Sequence, residues 1–252
     1  MKLAFKEMGA GEPLIILHGL FGSSDNWQTL GKRFAEDFRV YLVDQRNHGR
    51  SPHSEVFSYD VMARDLKDFM TDQNLKKAHL LGHSMGGKTV MRFAQLFPEK
   101  VNKLVVADMG VKEYPAHHQK ILEAFHSLDL PSLESRRDAD KAISHLIPEF
   151  GVRQFILKNL YRKNKDEFGW RVNFQAMEQE MDNILAPLPK TSADVNALFI
   201  YGMKSDYVKE EDRGEILNIF PGAEFAGLSA GHWIHAEVPD EFYDEVKKFV
   251  TK

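Results

Sequence analysis

The run Ala78-His79-Leu80-Leu81-Gly82-His83-Ser84-Met85-Gly86-Gly87 constrains this chain more than any other stretch. A short apolar segment enters Gly-His-Ser-Met-Gly, and Lys88, Val90, Phe93, Ala94 and Leu96 follow at helix-like spacing. Strand, tight turn and helix is the order that a Gly-x-Ser-x-Gly elbow requires. The chain must reverse so sharply that Ser84 takes up strained backbone angles, with its hydroxyl standing above the end of the sheet. A side chain at 82 or 86 would collide across such a turn, which accounts for glycine at both. The amide of Met85, at the start of the helix, then points to where an oxyanion would form. Ser84 is the candidate nucleophile. A glycine turn that merely caps a helix is the plainer alternative.

Other apolar runs repeat the entry pattern. Leu14-Ile15-Ile16-Leu17, Val40-Tyr41-Leu42-Val43, Val101–Ala107 and Ala197-Leu198-Phe199-Ile200-Tyr201 read as short strands buried on both faces. Helix-like segments separate them. One covers 25–38, with Trp27, Leu30, Phe34 and Phe38 at helical spacing, and another covers 59–73, with Val61, Met62, Leu66, Phe69 and Met70 on one side. This alternation predicts βαβ units and a mostly parallel sheet flanked by helices. Active sites of such sheets lie beyond the carboxyl ends of the strands. His18, Asp44, Ser84 and Asp108 all fall at or just past such ends.

Residues 111–190 break the rhythm. They are helix-like, interrupted by Pro131, Pro148, Pro187 and Pro189, with no strand-like run until Asn196. The expected division is therefore a core of 1–110 and 191–252 with 111–190 inserted as a helical lid. Helices that simply extend the core are the alternative. The sheet resumes at Ala197, a last strand runs over 223–228, and Ser229-Ala230-Gly231-His232-Trp233 precedes a final helix over 239–251.

Composition narrows the chemistry. A net charge of −4 gives no nucleic-acid footprint, and Arg162-Lys163-Asn164-Lys165 reads as a solvated face. With no cysteine there is no disulfide, thiolate metal site or cysteine nucleophile, which fits a reducing compartment. The N-terminus, Met1-Lys2-Leu3-Ala4-Phe5-Lys6-Glu7-Met8, lacks the apolar core of a signal peptide, and no apolar run approaches the ~20 residues of a membrane span. A cytoplasmic location is the expectation. Neither metal nor cofactor is called for, and the oligomeric state is open.

A serine nucleophile needs a base and an acid. Of 11 histidines, His232 is placed best, on the loop between the last strand and the last helix. Two aspartates satisfy the order Ser, Asp, His. Counting three residues past Gly202 reaches Ser205, with Asp206 one further; Asp108 ends the preceding strand. Asp108 is the favoured acid and Asp206 the alternative. The pair Asp44 and Arg46 in Asp44-Gln45-Arg46-Asn47-His48-Gly49-Arg50-Ser51 reads as a structural tie of its loop by charge-assisted hydrogen bonds.

These pieces together resemble the α/β-hydrolases, and within them bacterial esterases of the YbfF type and their mitochondrial relatives. The matching stretches are His18-Gly19-Leu20-Phe21-Gly22-Ser23, the Asp44–Ser51 loop, Gly82-His83-Ser84-Met85-Gly86-Gly87-Lys88, Gly151-Val152-Arg153-Gln154-Phe155, Trp170-Arg171-Val172-Asn173, Ser205 with Tyr207-Val208, and Ala230-Gly231-His232-Trp233. The resemblance implies an oxyanion hole from the amides of Leu20 and Met85, with Phe21 next in line, and supports Asp108 as the acid. It implies hydrolysis of small or medium acyl esters through an acyl-enzyme on Ser84, with acyl-CoA thioesters as a further expectation. Relatives that are dehalogenases or epoxide hydrolases use aspartate where Ser84 stands. A C–C bond hydrolase, a non-catalytic ligand binder, or a scaffold whose lid docks a partner are the alternatives. The many Lys and Arg of 158–171 weigh against the last.

Overall fold

The computed structural model describes residues 1–116, 118–165 and 167–252. Positions 117 and 166, both inside the expected lid, lie outside the described residues. The chain opens with β1 (Phe5–Met8) and β2 (Glu12–Leu17). A 3-10 turn and α1 (Gln28–Phe34) lead to β3 (Phe38–Val43), and α2 (Tyr59–Asp72) leads to β4 (Ala78–His83). Then come α3 (Met85–Leu96) and β5 (Val101–Ala107).

Between β5 and the next strand of the main sheet lie α4 (Gln119–Ser127), α5 (Arg136–Ile143), α6 (Phe150–Leu157), a ribbon of β6 (Leu160–Arg162) and β7 (Phe168–Trp170), α7 (Phe174–Gln179) and α8 (Met181–Leu185). The chain then returns through β8 (Ala197–Gly202), α9 (Arg213–Ile219), β9 (Glu224–Leu228), α10 (Ile234–Glu237) and α11 (Pro239–Val250). The sheet has seven strands in the order β1-β3-β2-β4-β5-β8-β9, all parallel except β1, which runs antiparallel to β3.

The parallel strands are apolar throughout because both faces are covered. Leu14, Ile16, Leu42, Leu81 and Val105 pack under α1 and α11, while Ile15, Tyr41, Leu80, Leu104 and Val106 pack under α2 and α3. Strand order doubles back at β2, so β2 and β4 run side by side and their carboxyl ends open together. That is the crevice in which such sheets place their ligands.

Three expectations are corrected. The helix expected over 25–38 is a 3-10 turn at Ser24–Trp27 and then α1. Phe38 belongs instead to β3, paired with Glu12, because the parallel ladder between β2 and β3 begins at its backbone. The insertion also contains a strand pair, with Leu160 opposite Trp170 and Arg162 opposite Phe168. Three residues per strand are too few to display an alternation in the sequence. Finally, Arg46 does not pair with Asp44. Its Nε donates to Asp65 of α2 (2.6 Å) and its Nη1 to the Val56 carbonyl (2.6 Å). The Asp44 carboxylate instead accepts the amides of Ser24 (2.6 Å) and Arg50 (2.9 Å), which fix the loops after β2 and β3 to each other. Among the described residues no helix is long and apolar enough to cross a membrane.

Candidate active site

Ser84 sits between β4 and α3 with φ 53° and ψ −122°, a left-handed conformation that costs a residue with a Cβ about 1–3 kcal/mol. Its neighbours force it. A Cβ on Gly82 would lie 2.1 Å from the Gly86 carbonyl oxygen, and one on Gly86 would lie 2.6 Å from those of Leu17 and His18. The Ser84 amide donates to Ala107 (3.1 Å) and its carbonyl accepts from Lys88 (3.1 Å), so the strained residue is fastened on both sides.

Asp108, one residue past β5, likewise holds a positive φ, at 46°. Its amide donates to Ile200 (2.8 Å). Its fully buried carboxylate accepts three hydrogen bonds: the Gly202 amide (2.9 Å), the Ser205 hydroxyl and His232 Nδ1 (2.8 Å). That bond makes Nε2 of His232 the basic nitrogen. Asp206, the alternative acid, lies elsewhere: its side chain is 93% exposed and faces Lys209 Nζ at 3.2 Å.

The His232 ring is further held in three ways. Tyr207 stacks on it, centroids 3.8 Å apart and planes 16° from parallel. Its carbonyl accepts from His83 Nε2 (2.8 Å). The Glu237 carboxylate, one turn on, accepts the amides of Gly231 (2.8 Å) and Trp233 (3.2 Å) on either side. The sequence reading missed the stacking role of Tyr207 and the tie from Glu237. The one available signal was an aromatic and an acid within a few residues of the loops carrying Ser205 and His232.

The Leu20 loop discriminates between its two candidate oxyanion donors. The Phe21 amide donates to His48 Nε2 (3.1 Å), whose Nδ1 donates to the Arg46 carbonyl (2.9 Å). Phe21 is thereby committed. The amides of Leu20 and Met85 have no acceptor among the described residues. His18 repeats the arrangement: its Nδ1 lies 2.9 Å from the Gly19 carbonyl, and its Nε2 accepts the Gln45 amide (3.0 Å). His48 is thus structural, and it braces the very loop at issue.

Burial sets the protonation of the surrounding imidazoles. Desolvation holds His18 below its ordinary value, and holds His48 and His83 well below it. His235, stacked on Trp27 (4.2 Å, 12°), is pushed down by burial and then by His232 to about 3. His83 and His235 are therefore neutral packing near His232 and carry no competing charge. Among the described residues no group of three or more His, Cys, Asp or Glu is arranged to hold a metal.

A cavity of about 600 Å³ opens over these groups, lined by Leu20, Ser84 and His232 from the core and by Ile121, Val152 and Phe155 from the insertion. It is of a size for a small organic ligand, with an apolar wall on one side and polar groups converging on the other.

The family model for the α/β hydrolase fold matches residues 12–239. The chain is 36% identical to the sn-1-specific diacylglycerol lipase ABHD11 of Danio rerio, over 98% of this chain and 80% of that protein. It is 35% identical to esterase YbfF of Escherichia coli K12, over 95% and 93% of the two chains. Among solved structures it is similar to a marine microorganism esterase, with a TM-score of 0.96 and 41% identity over 98% of this chain and 99% of that one. By that match and those relatives, the chain belongs to the α/β hydrolase fold family, among its YbfF-like esterases.

Proposed function

We propose that the chain is a serine carboxylesterase that hydrolyses small or medium acyl esters through an acyl-enzyme on Ser84, with 111–190 as its lid. The observation that carries this is a strained, fastened Ser84 sharing one cavity with His232, whose Nδ1 is held at 2.8 Å by Asp108.

In this mechanism the ester carbonyl enters the cavity with its oxygen toward the amides of Leu20 and Met85. His232 Nε2 takes the Ser84 proton as Oγ attacks the carbonyl carbon. Asp108 keeps the imidazole in the Nδ1–H tautomer and stabilises the imidazolium that forms. The two amides hold the tetrahedral oxyanion, Met85 with the added field of the α3 N-terminus. The intermediate collapses as the C–O bond breaks, and His232 returns the proton to the departing alcohol. Water, deprotonated by His232, then attacks the acyl-enzyme; the Ser84 ester bond breaks, His232 returns the proton to Ser84 Oγ, and the acid leaves. A thioester carbonyl follows the same path with a thiol as leaving group, so acyl-CoA thioesters are included in the proposal. Ile121, Val152 and Phe155 supply the apolar wall for the acyl chain.

The test is turnover of nitrophenyl esters graded in acyl length, with fluorophosphonate labelling read by mass spectrometry. Hydrolysis by the parent, labelling at Ser84 and loss of both in Ser84→Ala are expected. A parent that neither turns over nor labels overturns the proposal in favour of a ligand-binding protein.

A further inference from the structure

Lys88 is fully buried, four residues past Ser84 on α3, and the proposed chemistry does not use it. Its ammonium is aimed at backbone. Nζ donates to the carbonyls of Lys112 (2.9 Å), Leu185 (3.3 Å) and Ala186. Lys112 lies at the first root of the insertion, and Leu185 and Ala186 lie at the second. The two roots also bond each other, Tyr114 N–H to Leu185 (3.0 Å) and Leu188 N–H to Val111 (2.8 Å). A single side chain from the nucleophile helix thus gathers both ends of the segment that roofs the cavity.

The contact continues toward His232. Lys88 Nζ stands 4.9 Å from the ring centroid of Tyr114. The Tyr114 hydroxyl accepts the Gly110 amide (2.7 Å) and donates to the Tyr207 carbonyl (2.8 Å). Tyr207 is the residue whose ring lies on His232.

We infer that Lys88 is a positioning residue: its ammonium clasps both roots of the insertion to the helix carrying Ser84 and so sets the roof over the acyl pocket. This deepens the esterase reading and rests on it. Three carbonyls call for the three N–H donors of an ammonium; a neutral amine has two. Among the described residues no carboxylate forms an ion pair with Lys88; its neighbours are the three carbonyls and two phenol rings. Tyr59, at 5.7 Å from α2, and Tyr114 are phenols whose ionisation burial opposes. The neighbouring Lys112 is spent on Asp212. Only Glu113 raises it, and burial, the larger influence, brings it down to about 7. The clasp therefore loosens as pH climbs through neutrality.

The test combines Lys88→Met, which fills the same slot without donors, with a pH series on the parent. In the parent, KM for an octanoyl ester should climb with pH between about 6 and 9, and proteolytic cleavage within 111–190 should quicken in parallel. In Lys88→Met, that KM should be about tenfold higher and flat with pH, while kcat changes by less than about threefold. Unchanged KM and cleavage in Lys88→Met overturn the inference. So does an equal fall of kcat at every acyl length with KM preserved. If Lys88→Met does not fold, the parent series decides alone, and a KM and cleavage rate that ignore pH overturn it. Because cleavage is read without turnover and fluorophosphonate labelling reports Ser84 separately, failure of the clasp and failure of the esterase reading give different results.

Discussion

At the carboxyl edge of the sheet, Ser84 and Asp108 hold left-handed backbones at the ends of strands with parallel neighbours on both sides. The insertion over the same cavity is built differently. Its helices are five to nine residues long, too short to persist alone, and it adds a ribbon of three residues per strand. Besides its apolar underside, it meets the core through a few polar ties. Asn159 Nδ2 donates to the Phe21 carbonyl (2.7 Å), Asn173 N–H to Asn47 (2.9 Å), the Tyr59 hydroxyl to Ile184 (2.8 Å), and Lys88 to the roots. On the proposed reading, one region uses backbone strain to fix reacting atoms and the other uses side chains to fix a wall. Substitutions in the first should therefore act on kcat and those in the second on KM.

The largest effects should come from the strained edge. Ser84→Ala and Asp108→Asn should each lower kcat/KM for a nitrophenyl ester by about a thousandfold or more. Asp206→Asn, on an exposed carboxylate, should stay within about twofold. Steady-state kinetics of the three variants breaks the comparison if Asp206→Asn collapses instead.

Acid should also act on the edge. His18, His48, His83 and His235 all have their folded values lowered by burial, two of them while accepting backbone amides. Above about pH 6.5 both folded and unfolded chains are neutral at these sites, and their contribution to stability is complete. As pH falls below that, the unfolded chain binds protons that the fold refuses, so stability drops, by up to about 1.4 kcal/mol per pH unit for each histidine. Thermal midpoints measured between pH 7 and 5 should fall, and His235→Phe should flatten the slope by about one proton. A parent midpoint that holds level to pH 5 contradicts this reading.

The same contrast explains what was legible in the sequence. Glycine at 82 and 86 and unbroken apolar strands follow from covalent geometry and two-sided burial, so they stand in the residues themselves; the order Ser, Asp, His was legible only through the family resemblance. That Asp108 rather than Asp206 bonds His232 was legible because Asp108 ends a strand beside the elbow strand. That the Phe21 amide is taken, leaving the favoured Leu20 amide free, was not, since it depends on His48, 27 residues away, accepting from Phe21. The ribbon was hidden by its brevity, and the role of Lys88 by its partners, which are carbonyls 24, 97 and 98 residues distant with no side-chain signature. The Asp44–Arg46 pairing misled for the opposite reason: adjacent opposite charges suggest a bond, yet backbone amides had already filled the aspartate and Asp65 stood within reach of the arginine.

Tyr207 lies on the border between the two regions, on a core loop yet reached through Tyr114 at the root of the insertion. Its ring restrains His232 without touching the proton path, so Tyr207→Leu should cost about tenfold in kcat, with KM little changed. A predominantly KM effect would assign Tyr207 to the wall instead.

The smallest effect should come from the wall itself. Phe155 on α6 lines the cavity with its ring 6.1 Å from that of Trp233 on the His232 loop. Phe155→Ala removes apolar surface that a long acyl chain covers and an acetyl group does not reach. Filling that surface is worth about 1 kcal/mol for a partly exposed ring, so KM for an octanoyl ester should rise by about fivefold and that for an acetyl ester by less than twofold. With Phe155 assigned to the acyl wall, the transition state of the short ester should be unaffected and kcat should hold. An equal loss on both esters would mean that α6 positions His232 through Trp233, and the division between an edge that reacts and a wall that selects would then fail at this contact.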